Sequence, residues 1–108
     1  MSGSGGVRDF TPEEVARGLA DGDIVLVDVR EPNETAVERI PGSVLVPLSA
    51  FEPEEIPNPK GLTVVFSCRS GNRSAKASQI AQAAGLPYDA HLAGGIIAWK
   101  AAGYPTEE

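Results

Sequence analysis

Cysteine occurs once in this chain, at Cys68, and histidine once, at His91. A single thiol excludes an internal disulfide and a cysteine-rich metal site. It also leaves no resolving thiol in the chain, so whatever forms on Cys68 must be discharged by an outside acceptor. A lone histidine with no companion ligand argues against a metal centre, and no cofactor is expected. Long apolar runs are lacking too: none approaches the roughly 20 residues of a membrane span. No basic start followed by an apolar segment marks export, and a cytoplasmic location is expected. Asp and Glu are missing from Pro57 to Tyr88, where Lys60, Arg69, Arg73 and Lys76 all fall. The net charge is −6, so those four bases leave the rest of the chain at about −10. Such a balance argues against nucleic acid and anionic membranes as partners. A basic segment on an acidic protein suits a small anionic substrate instead.

What is present describes an ordinary globular chain. Its 108 residues are 42% apolar and 22% charged, enough for one domain with one core. Residues 1–6 read as a flexible linker and 7–108 as a single domain, expected to be a monomer. A possible short strand, Val7 to Phe10, comes first. Thr11-Pro12-Glu13-Glu14 then opens a helix with a capping box and proline at its first position. Val15 and Leu19 supply its apolar stripe and Gly22 ends it. Ile24-Val25-Leu26-Val27 is a continuous apolar run, largely β-branched, the mark of a strand buried on both faces. A short helix is expected from Pro32 towards Glu38, a strand over Val44 to Val46, and a second capping box at Ser49 to Glu52. Leu62 to Phe66 is the next strong strand, and a helix follows from about Arg73 to Gly85. Tyr88 to Leu92 reads as the last strand, and Ile96 to Ala102 as the last helix, with Ile96 and Trp99 in the core. Strands alternating with helices predict an α/β fold whose parallel sheet is covered on both faces. In such sheets the site lies at the carboxyl ends of the strands.

The stretch Phe66-Ser67-Cys68-Arg69-Ser70-Gly71-Asn72-Arg73-Ser74 stands at such an end. Behind it Ala77, Ile80, Ala81 and Ala84 recur at helical spacing. A thiol between the end of a strand and the start of a helix meets free backbone N–H groups and the positive helix end. Two arginines share the loop. That environment lowers a thiol pKa, and Cys68 is the candidate nucleophile. Asp28 at another strand end is expected to serve as a structural hydrogen-bonding group. Arg30 and Glu34, four apart, read as a local ion pair.

Four segments together carry a family resemblance. They are Asp28-Val29-Arg30-Glu31-Pro32-Asn33-Glu34, Ile40-Pro41-Gly42-Ser43 with Pro47-Leu48, Cys68 to Ser74, and Leu92-Ala93-Gly94-Gly95-Ile96-Ile97-Ala98-Trp99. By these the chain resembles a single-domain rhodanese, a sulfurtransferase. The resemblance implies a three-layer α/β/α fold with a five-stranded, mainly parallel sheet. It implies that Cys68 takes a sulfane sulfur from thiosulfate or a similar persulfide donor and passes it to a thiol, cyanide or protein acceptor. It assigns Arg69, Ser70, Gly71, Asn72 and Arg73 to the cradle around that sulfur and Arg69 to the anionic donor; Asp28 and Arg30, by their place at a neighbouring strand end, are expected to support the site. Thr35, Glu38 and Arg39 depart from the family pattern, and are expected to alter local packing or the charge at the mouth of the site.

Attack on the outer sulfur of thiosulfate needs a thiolate and donors for the departing charge, which a ring of N–H groups supplies without a general acid. Two other functions fit parts of the chain. A cysteine-based phosphatase or arsenate reductase of related fold uses Cys, five residues and Arg, whereas Cys68 to Arg73 encloses four, and Ser67 stands where those phosphatases place histidine. The other is a non-enzymatic rhodanese-like module that binds a partner or senses redox state; such modules commonly lose the cysteine this chain keeps, and a single thiol without a resolving partner makes a disulfide switch less natural.

Overall fold

Apolar side chains of neighbouring strand residues sort to opposite sides of a central sheet, and that sorting defines the architecture. The computed structural model describes residues 6–58 and 60–108. Of the linker read at residues 1–6, only Gly6 falls among them; it is exposed, and its carbonyl accepts a hydrogen bond from Gln82. Five strands form one sheet in the order β1-β5-β4-β2-β3, where β1 is Arg8–Phe10, β2 Ile24–Asp28, β3 Val44–Leu45, β4 Thr63–Ser67 and β5 Ala90–Leu92. All its pairings are parallel. Four helices accompany it: α1 over Pro12–Asp21, α2 over Pro32–Thr35, α3 over Asn72–Ala83 and α4 over Gly95–Ala101.

On one face Leu26, Val65, Ala90 and Leu92 pack against Val15 of α1 and Ile96 and Trp99 of α4. On the other Val27, Val64 and Phe66 pack against Ala77 and Ala81 of α3, with Ile56 beside them. Phe66 lies edge-on to Phe51 and Tyr88, with ring centroids 5.6 and 6.3 Å apart. Buried on this scale, each large side chain stabilises the fold by about 1.5–3 kcal/mol. The strands β2 and β4 carry most of this because both their faces are covered, as their unbroken apolar runs foretell.

Several local expectations hold to the atom. Thr11 accepts from the Glu14 amide while Glu14 accepts from the Thr11 amide, closing the capping box of α1. Others are replaced. The second capping box does not form: Leu48–Ala50 and Pro53–Glu55 are short 3-10 turns, and the Ser49 hydroxyl donates to Glu31 at 2.7 Å. Proline at 53 withholds the amide that a longer helix there would use. The stripe of α3 is also shifted. Ser74, Ala77, Ser78 and Ala81 face the sheet, while Ile80 is 38% exposed. Small residues let the helix approach closely, and the hydroxyls remain satisfied, that of Ser78 by the Tyr88 carbonyl.

Positions 38 and 39 tie the tail down, and position 35 packs locally. Glu38 accepts from Lys100 and Thr106, Arg39 pairs with Glu107, and residues 39 and 107 form an antiparallel bridge. Thr35 is buried and its hydroxyl donates to the Pro32 carbonyl. No helix among the described residues is long and apolar enough to cross a membrane.

Candidate active site

Because every pairing is parallel, the carboxyl ends of β2, β4 and β5 lie along one edge of the sheet. Asp28 is the register partner of Ser67, so the Cys68 loop emerges beside the end of β2. The loop turns at Gly71, whose φ of 109° is one that a side chain resists. It then enters α3 directly.

Two sets of backbone groups shape this turn. Its carbonyls point away from the sulfur: those of Cys68 and Arg69 accept the amides of Ile96 and Ile97 at 2.9 and 3.2 Å. Its amides point towards the sulfur, and Gly71 N–H donates to Sγ at 3.0 Å. The Ser74 hydroxyl lies 3.6 Å from Sγ. Burial pushes the Cys68 thiol up, but the Ser74 hydroxyl and the backbone N–H groups of Ser74, Gly71 and Ser70 outweigh it and hold the thiol below its ordinary value. Only 1% of Cys68 is exposed, so the reacting end of a substrate must be slim.

The remaining site residues divide by what they touch. Arg69, Ser70 and Asn72 are exposed on the loop, whereas Gly71 is buried. Among the described residues Arg69 takes part in no ion pair. It lines an open cavity of about 290 Å³ together with Arg30, Glu34, Val37, Ile97 and Lys100. Arg73 is committed elsewhere: its two terminal nitrogens donate to the two Glu34 oxygens at 2.7 and 2.9 Å. That bidentate clamp fastens α2 to α3 across the site.

The local Arg30–Glu34 pair expected from sequence is replaced by two other pairings, Glu34 with Arg73, 39 residues on, and Arg30 with Asp28, two residues back. Arg30 precedes α2, so the helical i, i+4 geometry does not apply to it. It turns back onto Asp28, with Nη2 to Oδ2 at 2.7 Å and both side chains only 5% exposed. Its backbone N–H and Nε also donate to Asp28, and Nη2 reaches the Glu38 carbonyl at 2.8 Å. The pair knits the end of β2 to the segment after α2.

The clamp has a pH signature. The Arg73 hydrogen bonds hold the Glu34 carboxyl at about 2, against 4.5 ordinarily. A folded-state pKa below the unfolded one stabilises the fold at pH above the unfolded value, and that stabilisation is lost as pH falls through the folded one. Glu34→Gln is therefore expected to be less stable than the parent above pH 4.5, with the gap closing towards pH 2. Denaturant unfolding at several pH values checks this; a gap that stays constant through that window contradicts it.

Two residues of the constellation carry no obvious sequence signal. Ser74 touches the sulfur from just beyond the loop positions singled out for the cradle. His91 joins Ser74 through Nδ1 at 2.8 Å and Asp9 through Nε2 at 2.9 Å. Among the described residues no group of three His, Cys, Asp or Glu side chains could hold a metal ion.

Comparison with known proteins shows the family. Residues 11–102 match the model of the rhodanese-like domain. A sulfurtransferase of Allochromatium vinosum is 37% identical over 92% of this chain and 94% of its own length. An uncharacterized protein of Synechocystis is 46% identical over 77% of this chain, which spans only 46% of that relative's length. The crystal structure of a rhodanese-related protein from Thermoplasma volcanium superposes with a TM-score of 0.78 at 28% identity, covering 93% of this chain and 97% of its own. The chain belongs to the rhodanese-like domain family.

Proposed function

We propose that the protein is a sulfurtransferase that carries a sulfane sulfur on Cys68, with thiosulfate as a competent donor. The Cys68 thiolate attacks the outer sulfur of the donor. A sulfur–sulfur bond forms to Sγ, the bond to the sulfonate sulfur breaks, and sulfite leaves with its electron pair. The persulfide then yields its outer sulfur to cyanide or a thiol, and Cys68 returns as thiolate.

The observation that carries this reading is the amide-facing turn: Gly71 N–H bonds the sulfur while the loop carbonyls are held away by α4. Fixed dipoles of this kind stabilise a sulfur anion before and after transfer without reorganising. Arg69, exposed beside the cavity, is placed to meet the donor's charged end. Arg73, spent on Glu34, holds the loop instead.

Intact mass measurement after thiosulfate treatment is expected to show a gain of one sulfur atom, removed by cyanide and absent in Cys68→Ala. No gain from any sulfane donor would sink the reading. Dephosphorylation of an aryl phosphate without sulfur loading would replace it with the phosphatase chemistry.

A further inference from the structure

The sulfur is not isolated from the rest of the fold. A continuous line of polar atoms runs from Cys68 Sγ to Ser74 Oγ at 3.6 Å, from there to His91 Nδ1 at 2.8 Å, and from His91 Nε2 to Asp9 Oδ1 at 2.9 Å. The four residues come from the end of β4, the first turn of α3, β5 and β1. Ser74 is fully buried and His91 8% exposed, whereas the Asp9 side chain is 72% exposed. The line therefore joins a sealed thiol to solvent. Strand register builds its outer half, because Asp9 and His91 are partners in the β1–β5 pairing.

Hydrogen-bond bookkeeping gives the line a direction. A carboxylate only accepts, so the Asp9 contact keeps a proton on His91 Nε2. Nδ1 is then an acceptor in the neutral ring and a donor in the imidazolium. The Ser74 hydroxyl can do either, and so it can turn between two arrangements with every heavy atom in place. In one, the thiol donates to Oγ and Oγ–H donates to Nδ1. In the other, Nδ1–H donates to Oγ and Oγ–H donates to the thiolate.

We propose that Ser74, His91 and Asp9 form a proton relay that takes the proton of Cys68 and holds it on the His91 ring. The S–H bond breaks as an O–H bond forms at Ser74. The original Ser74 O–H breaks as N–H forms at Nδ1. Thiol and imidazole become thiolate and imidazolium, and Asp9 remains a carboxylate opposite the new positive charge. Ser74 meets the reacting Sγ directly, whereas His91 is a positioning residue that acts through Ser74. Other charged groups near the sulfur do not compete for the proton. Arg69 and Arg73 offer only donors, and the carboxylates of Asp28 and Glu34 are engaged by Arg30 and Arg73. The Gly71 carbonyl, 3.1 Å from Ser74 Oγ, can accept the hydroxyl proton but cannot store one.

This deepens the sulfur-transfer reading, yet its test does not require that reading. With one cysteine in the chain, the ultraviolet absorbance of the thiolate reports Cys68 alone once the Cys68→Ala spectrum is subtracted. His91→Gln is expected to raise the thiolate midpoint by about one pH unit, a roughly tenfold loss of thiolate at neutral pH. Ser74→Ala should do the same. Because both break one chain, the double variant should exceed neither single one, whereas independent effects would add.

A second measurement leaves the relay residues intact. NMR titration of the His91 ring is expected to shift down in Cys68→Ala relative to the parent, because the imidazolium loses its thiolate partner. An unchanged thiolate midpoint in a folded His91→Gln, or a His91 titration indifferent to Cys68, overturns the relay. Should His91→Gln not fold, the NMR comparison decides alone. Coupled titrations in a protein that fails to load sulfur would leave the relay standing and remove sulfur transfer. Sulfur loading with uncoupled titrations would do the reverse.

Discussion

Asp28→Ala is expected to destabilise the protein by about 3–5 kcal/mol, the loss typical of a buried ion pair deprived of one partner. The magnitude follows from what remains behind. Arg30 is 4% exposed and donates five hydrogen bonds: three from its side chain and one from its backbone N–H to the Asp28 carboxylate, and one from Nη2 to the Glu38 carbonyl. Without the carboxylate a guanidinium stays in the interior with a single acceptor, the Glu38 backbone carbonyl. The pair need not be worth that much as a pair, since two charges lose hydration when they enter the core. Replacing both residues, as Asp28→Leu with Arg30→Met, should therefore recover much of the loss. Urea unfolding of the single and double variants separates these contributions. A loss under about 1 kcal/mol in Asp28→Ala would show that water reaches Arg30 and that the pair is not buried in solution.

That pair also shows where reading from sequence stops. Continuous apolar runs announced β2 and β4, and the Thr11–Glu14 capping box announced the start of α1, because each is set by residues close in the chain. The Cys68 loop was legible for the same reason: strand, thiol, glycine and helix follow one another within a few residues. The Arg30 partner was misread because i, i+4 pairing presumes helix at both ends, and α2 begins only at Pro32. The stripe of α3 was misread because serine counts as polar by composition, yet Ser74 and Ser78 find partners inside and pack as small residues. His91 looked solitary because Asp9 and Ser74 lie 82 and 17 residues away in sequence. Only knowledge that β1 and β5 pair in parallel brings His91 and Asp9 side by side.

Gly95→Ala is expected to cut the rate of sulfur loading by about a hundredfold or more, the scale set by roughly 1 Å of misplacement at a reacting atom. Gly95 sits at φ 59° against the Cys68 loop, and a Cβ there would run into the Cys68 carbonyl oxygen and lie 2.5 Å from the Arg69 carbonyl carbon. Those are backbone atoms with no rotamer to yield. They are also the groups whose carbonyls accept the Ile96 and Ile97 amides. Relief must come from sliding the loop away from α4, which moves the Gly71 N–H now 3.0 Å from the sulfur. The thiolate should become harder to form as well as worse placed, so its titration should rise while loading slows. Gly22→Ala supplies the control, since Gly22 has φ 72° and nothing within 4 Å of an added Cβ. It carries a similar backbone penalty of about 1–2 kcal/mol, without touching the loop. Comparable stability losses with slow loading in Gly95→Ala alone would place the effect in the loop. Normal loading in Gly95→Ala would show that the α4 contact does not hold the cradle, leaving the Gly71 turn to keep its shape unaided.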